Sequence, residues 1–257
     1  MDIITETHKR ENMEAKEWLK FIKWIMIAGI LILTINIQMS HKETIGTMRE
    51  LNQHQAKREK QISELKMGIS QDNKRRSKIL IVVDIIQKRN SGIEHKTMTN
   101  FAEYIVDYTE HNVNVDYLLL TALITQESNF NDSAYSSAGA KGLAQIMDLT
   151  AQDICEHLRI PYTHGITFIP KHNIMMASWY LERLINHYRD TSKAIAHYNG
   201  GGLNAYRYGL KLAQQKDYKL TDEETEALGR LSEETDNYVK RVLGFYGDYI
   251  SNEVSGE

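Results

Sequence analysis

The stretch Ala122-Leu-Ile-Thr-Gln-Glu-Ser-Asn-Phe130 closes an apolar helical run with an acid, and its reading decides the fold. Just upstream, Asp116 is placed to cap a helix whose next residues, Tyr117-Leu-Leu-Leu-Thr-Ala-Leu-Ile124, are apolar on nearly every face. A helix apolar all round belongs in the core of a domain. Glu127 then falls in its last turn, where the negative end of the helix dipole and the apolar surroundings both disfavour ionisation and raise the carboxyl pKa. A carboxyl group kept protonated near neutral pH can act as a general acid. The plain alternative is a solvated glutamate at a helix end.

The surrounding motifs change that balance. After Gln126-Glu-Ser-Asn-Phe130 come Ser136-Ser-Ala-Gly-Ala-Lys-Gly-Leu-Ala-Gln-Ile146, then Ala196-His-Tyr-Asn-Gly-Gly201, then Glu234-Thr-Asp-Asn-Tyr-Val-Lys-Arg-Val242. In order and spacing these resemble the lytic transglycosylases of the soluble-lytic-transglycosylase (SLT) type, from about Thr97 to about Tyr249. The resemblance implies a mainly α, lysozyme-like catalytic domain. It also implies a peptidoglycan lytic transglycosylase that cleaves the β-1,4 bond between N-acetylmuramic acid and N-acetylglucosamine.

Carried over position by position, the resemblance makes Glu127 the catalytic acid and then base, and Ser128 its partner in the Glu-Ser motif. Ser128, Gln145, Tyr198, Asn199 and Tyr238 become substrate-binding residues, Tyr238 closing over the acid. Two positions depart from the family pattern. Ala144 stands where Met is usual in Gly-Leu-Met-Gln, and His197 stands where the family has Ala before Tyr-Asn. Neither departure removes an acid or a base. His197 reads either as a pH-sensitive cleft residue or as a packed substitution.

Cleaving a glycosidic bond requires protonation of the leaving oxygen and stabilisation of an oxocarbenium-like centre, tasks that most glycosidases divide between two carboxyl groups. The resemblance implies one carboxyl group, with the substrate's N-acetyl group assisting and the sugar's C6 hydroxyl closing onto C1 as a 1,6-anhydro product. Asp132 and Asp148 are the nearest candidates for a second, lysozyme-type carboxylate, which would make the chain a hydrolase. A third reading is a non-catalytic peptidoglycan-binding subunit of an envelope-spanning complex.

At 257 residues the chain exceeds the roughly 150 that such a domain needs to bury an adequate core, and the surplus is N-terminal. Trp24 to Met39 carries no charge, and extension through Phe21, with Lys20 and Lys23 snorkelling, gives a span near the lower limit for a membrane helix. Trp18 and Trp24 suit the bilayer interface. Asn36-Ile-Gln-Met-Ser40 offers no small-x-small cleavage site, which favours an uncleaved signal anchor over a signal peptide. Lys9, Arg10, Lys16, Lys20 and Lys23 precede the span, against Lys42 and Arg49 in the comparable stretch after it, which favours an N-inside, single-pass topology in the inner membrane with the domain on the periplasmic or wall side.

The expected organisation is a cytoplasmic segment (1–20), a transmembrane anchor (21–39), a polar helical stalk (40–77), the catalytic domain (78–250) and a tail (251–257). A broken heptad pattern at Met48, Leu51, Ile62, Leu65 and Ile69 fits either weak self-association or a lone solvated helix. Ile79-Leu-Ile-Val-Val-Asp-Ile-Ile86 reads as helix, given a largely helical domain, although a strand has the same composition. Within the domain, residues 136–142 read as a loop, with a helix starting at Leu143.

A net charge of −3, with no basic cluster interleaved with aromatics, argues against nucleic acid as a partner. The expected partners are glycan strands and the lipid bilayer. Cys155 is the only cysteine and the histidines show no metal-ligand spacing, so neither a disulfide, a metal nor a cofactor is expected.

Overall fold

The computed structural model describes residues 2–255, with side chains from Met13 onward except Ala15. Lys9 and Arg10, which enter the charge bias, and the last two residues of the 251–257 tail lie outside the described parts. Among the described residues there are eight α-helices and no strands, in line with the mainly α expectation. They are α1 (Asp2–Arg89), α2 (His95–Thr109), α3 (Tyr117–Ser128), α4 (Asp148–Leu158), α5 (Pro170–Tyr188), α6 (Thr191–Gln215), α7 (Asp222–Gly229) and α8 (Glu233–Ser255).

The chain divides into two compact units, residues 1–70 and 71–257, and α1 contributes to each. In the first unit the helix carries one window long and apolar enough to cross a membrane. Its apolar side chains from Trp18 to Met39 are all exposed, Trp24 by 71%.

In the second unit, the end of α1 buries Ile79, Val82, Val83, Ile85 and Ile86. That spacing keeps one helical stripe against the core, so the β-branched run is helix because burial on one face overrides its strand propensity. Arg75 pairs with Asp107 of α2 at 2.7 Å, and the Arg89 guanidinium lies 4.3 Å from the Phe245 ring centroid.

The apolar helix α3 occupies the centre. Asp116 caps it by accepting from the Leu119 amide at 2.9 Å, and residues Tyr117 to Thr125 are all buried. Thr121 and Thr125 satisfy their buried hydroxyls on the backbone carbonyls of Tyr117 and Thr121. The helix stops at Asn129, which adopts the left-handed conformation (φ 50°, ψ 43°) that suits a C-cap. Asn129 also locks this end to the end of α1: its Nδ2 donates to the Arg89 carbonyl, and Asn90 Nδ2 donates back to the Asn129 carbonyl, both at 3.0 Å.

The main partner of α3 is α8, which buries Thr235, Tyr238, Val239, Val242 and Tyr249 along one face. Helix α5 packs on α2 and α6, and α6 packs on α8. Met176 of α5 is fully buried, so that helix's apolar face is core packing. Helix α6 breaks at Gly201 (φ 76°, ψ −178°), a backbone state that glycine adopts without steric cost. The turn that carries Tyr198 and Asn199 therefore ends at the glycine run.

Candidate active site

Glu127 lies in the last turn of α3, and the packing of α8 on that helix brings Tyr238 to it. The Tyr238 hydroxyl, itself buried, donates to Glu127 Oε1 at 2.5 Å. Burial drives the Glu127 carboxyl up from 4.5 to about 7, against the smaller, opposing pull of the Tyr238 hydrogen bond. Burial, and next the charge of Glu127, hold the hydroxyls of Tyr198 and Tyr238 well above the usual tyrosine range. Both phenols therefore remain proton donors.

A loop from Phe130 to Met147 borders the acid. The expectation that Leu143 starts a helix is corrected: Leu143 to Gln145 form a turn in which the Gln145 amide donates to the Gly142 carbonyl at 3.2 Å, and α4 begins only at Asp148. The reason is conformational, because Gly142 (φ 73°) and Gln145 (φ 49°) are both left-handed and no α-helix passes through such residues. Isolated antiparallel bridges join Tyr135 to Lys141 and Lys141 to Ile146 and give the loop its shape.

The loop is clamped by polar side chains from four directions. Ser128 donates to the Leu143 carbonyl at 2.7 Å, and Tyr198 donates to the Ala144 carbonyl at 3.0 Å. Gln145 Nε2 donates to the carbonyls of Gly142 (2.9 Å) and Ala134 (3.2 Å), so its amide nitrogen holds the loop together. Asn173, fully buried on α5, accepts from the Ala144 amide at 2.7 Å and donates to the carbonyls of Lys141 (2.9 Å) and Thr167 (2.6 Å). Ala144 is fully buried beneath this knot.

A side chain at Gly142 would place its Cβ 2.4 Å from the Thr167 carbonyl oxygen, on a backbone already left-handed. Gly142→Ala is expected to destabilise the domain by about 3 kcal/mol, combining steric overlap with backbone strain. A shift of less than about 1 kcal/mol in urea unfolding would show that the loop relaxes instead.

Of the six site residues expected from the sequence, the fold thus groups Tyr198 and Tyr238 near Glu127. Ser128, Tyr198 and Gln145 are tied to the adjoining loop. Asn199 is set slightly apart: its Oδ1 accepts from Thr235 at 2.8 Å, and Thr235 in turn accepts from Asn204 and Ser232. Sequence reading missed Asn173 and Thr235. The available signal for Asn173 was a polar side chain on the apolar face of an amphipathic helix.

Asp148 is engaged by Lys141 at 2.5 Å, and that ammonium holds its carboxyl below the usual range. Asp132 receives the Ser133 hydroxyl at 3.1 Å. His197 is half-buried against Tyr180 and Tyr188, with Nδ1 2.8 Å from the Tyr188 hydroxyl, and burial followed by His187 lowers its pKa. It is a packed side chain whose burial favours the neutral imidazole. Cys155 is buried, which pushes its thiol up and makes it a poor nucleophile.

The transglycosylase SLT domain family matches residues 105–221. Over this segment the chain is similar to transglycosylase SLT domains. The match agrees with the resemblance read from the motifs. It includes Glu127, Ser128, Gln145, Tyr198 and Asn199, whereas Tyr238 reaches Glu127 from α8, beyond the matched stretch. A Haemophilus influenzae protein provisionally named soluble lytic murein transglycosylase is 27% identical over 194 residues, which cover 74% of this chain and 32% of the relative. The chain thus spans about a third of the length of that curated relative.

Among solved structures, the 70 kDa soluble lytic transglycosylase from Escherichia coli is 25% identical with a TM-score of 0.49, over 63% of this chain and 27% of that one. An inactive mutant of lytic transglycosylase Slt from Pseudomonas aeruginosa is 24% identical with a TM-score of 0.46, over 57% and 23%.

Proposed function

We propose that this chain is a membrane-anchored peptidoglycan lytic transglycosylase, with Glu127 as acid and then base. The observation that carries this reading is the buried Glu127 carboxyl group, raised to about 7 and hydrogen-bonded by Tyr238 at 2.5 Å, while Asp148 is engaged by Lys141 and Asp132 accepts from Ser133. Glu127 in its protonated form donates to the glycosidic oxygen between N-acetylmuramic acid and N-acetylglucosamine, and the bond to the muramoyl C1 breaks. The muramoyl N-acetyl oxygen stabilises the developing positive charge at C1. The Glu127 carboxylate then takes the proton of the muramoyl C6 hydroxyl, whose oxygen bonds to C1 as the 1,6-anhydro ring, and no water is consumed.

In this scheme Tyr238 orients the acid. The Gln145 carbonyl oxygen and the Asn199 amide nitrogen, neither of which serves the internal bonds described above, offer one acceptor and one donor to the sugar. Tyr198 and Ser128 hold the loop that borders the glycan. The exposed apolar stretch from Trp18 to Met39 is assigned to the bilayer as a single, N-inside span that keeps the domain on the wall side.

The test is digestion of peptidoglycan by the full chain in detergent, followed by mass analysis. Anhydro ends, lighter by one water, support the reading. Hydrated reducing ends would replace it with hydrolysis, and intact glycan that co-sediments with the protein would leave a binding subunit.

The pH dependence has a definite sign. The chemistry begins with protonated Glu127, so kcat/KM is expected to be level in acid and to fall about tenfold per pH unit above about 7. A rate that keeps rising to pH 9 would remove Glu127 from the acid's role.

A further inference from the structure

We infer that Arg241 and Gln126 form an anion subsite at the rim of the cleft, taking a carboxylate carried by the muramoyl residue of the glycan. This rests on the peptidoglycan reading above. Gln126 immediately precedes Glu127 on α3, and Arg241 lies one helical turn after Tyr238 on α8. The two meet across the helix pair: Arg241 Nε donates to Gln126 Oε1 at 2.8 Å. The pair therefore flanks the hydrogen bond between Tyr238 and Glu127 on neighbouring residues of the same two helices. The Arg241 charge also acts on the Tyr238 hydroxyl, which it favours in the ionised form.

The chemistry of the pair is that of a receptor left open. Helix α8 carries two basic residues, and Lys240 is held by Asp236 at 2.8 Å. Arg241 has no acid within ion-pair distance among the described residues, and it is exposed. The Gln126 bond fixes the guanidinium through Nε and leaves Nη1 and Nη2, the fork that grips a carboxylate through two parallel hydrogen bonds. Gln126 Nε2 adds a third donor alongside.

An exposed arginine usually swings freely. One anchored on a neutral amide has lost part of that freedom while keeping its full charge. Peptidoglycan supplies two carboxylate sources beside the bond to be cut: the lactyl group of a muramoyl residue without a peptide, and the free carboxylates of a stem peptide.

The experiment uses the full chain in detergent with three ligands: peptide-bearing glycan, glycan freed of peptide by an amidase, and chitooligosaccharide, which has no carboxylate. Affinities are measured in the Glu127→Gln background, and KM and kcat with Glu127 intact. Arg241→Gln is expected to weaken binding of one or both carboxylate-bearing glycans about tenfold and to raise KM with little change in kcat, and Arg241→Lys to recover part of the loss. A loss confined to peptide-free glycan assigns the site to the lactyl carboxylate, and one confined to peptide-bearing glycan assigns it to the stem. Chitooligosaccharide binding is expected to be unchanged. Equal losses on all three ligands, a fall in kcat alone, or no loss at all would overturn the subsite. Absence of any fragment release by the unsubstituted chain would instead overturn the underlying functional reading.

Discussion

Glu127→Gln is expected to reduce release of glycan fragments by about 10²- to 10⁴-fold while sparing glycan binding, because the amide keeps the shape of the acid and loses its transferable proton. Unchanged release would mean that another group protonates the leaving oxygen. The same substitution has a stability signature of fixed sign. The folded carboxyl keeps its proton up to about 7, whereas the unfolded chain loses it near 4.5. Stability is therefore full below about 4.5 and declines as pH rises through about 7, by about 3 kcal/mol at roughly 1.4 kcal/mol per pKa unit. The neutral glutamine escapes this loss. Glu127→Gln should thus unfold at higher urea than the parent at pH 8, with the advantage shrinking towards pH 4.5. A pH-independent difference would show that Glu127 is not held in an environment hostile to its charge.

Asn173→Ala is expected to cost about 4 kcal/mol and to abolish cleavage, although no role in the chemistry is assigned to it. Asn173 is fully buried and saturates three backbone groups of two segments, the Ala144 amide and the carbonyls of Lys141 and Thr167. Its loss leaves the Ala144 amide and the Thr167 carbonyl buried without partners, at about 1–3 kcal/mol each before relaxation, and leaves the Lys141 carbonyl with the Ile146 amide alone. Asn173→Asp should not rescue, since a carboxylate could still accept from Ala144 but would face the Lys141 and Thr167 carbonyls with no donor. Urea unfolding measures the first effect and fragment release the second. A cost below about 1 kcal/mol would mean that water takes over the side chain's bonds.

The two residues differ in how far they could be read in advance. Glu127 was legible because an acid at the end of an all-apolar run is costly, and because Gln145, Tyr198, Asn199 and Tyr238 follow in a recognisable order. Asn173 was not, because it sits among Met, Ile and Trp on a helix whose apolar stripe reads as ordinary core packing. The turn at Leu143 was misjudged for a related reason. Leu143-Ala144-Gln145 are acceptable helix residues locally, and only the left-handed backbone at Gly142 and Gln145, held by Asn173 and Tyr198, keeps them out of a helix.

Sequence alone determined the helical class, the apolar span near the N-terminus and the residue types of the site, because hydrophobic period, capping residues and motif order are properties of neighbours along the chain. Tertiary structure decided the acid's protonation and the work of the residues around it. The Glu127 carboxyl is raised only because the fold desolvates it, its Tyr238 partner arrives from 111 positions away, and the Gln145 amide turns inward to hold its own loop. A carboxyl pKa depends on what surrounds the group in space, and that is settled by which helices pack.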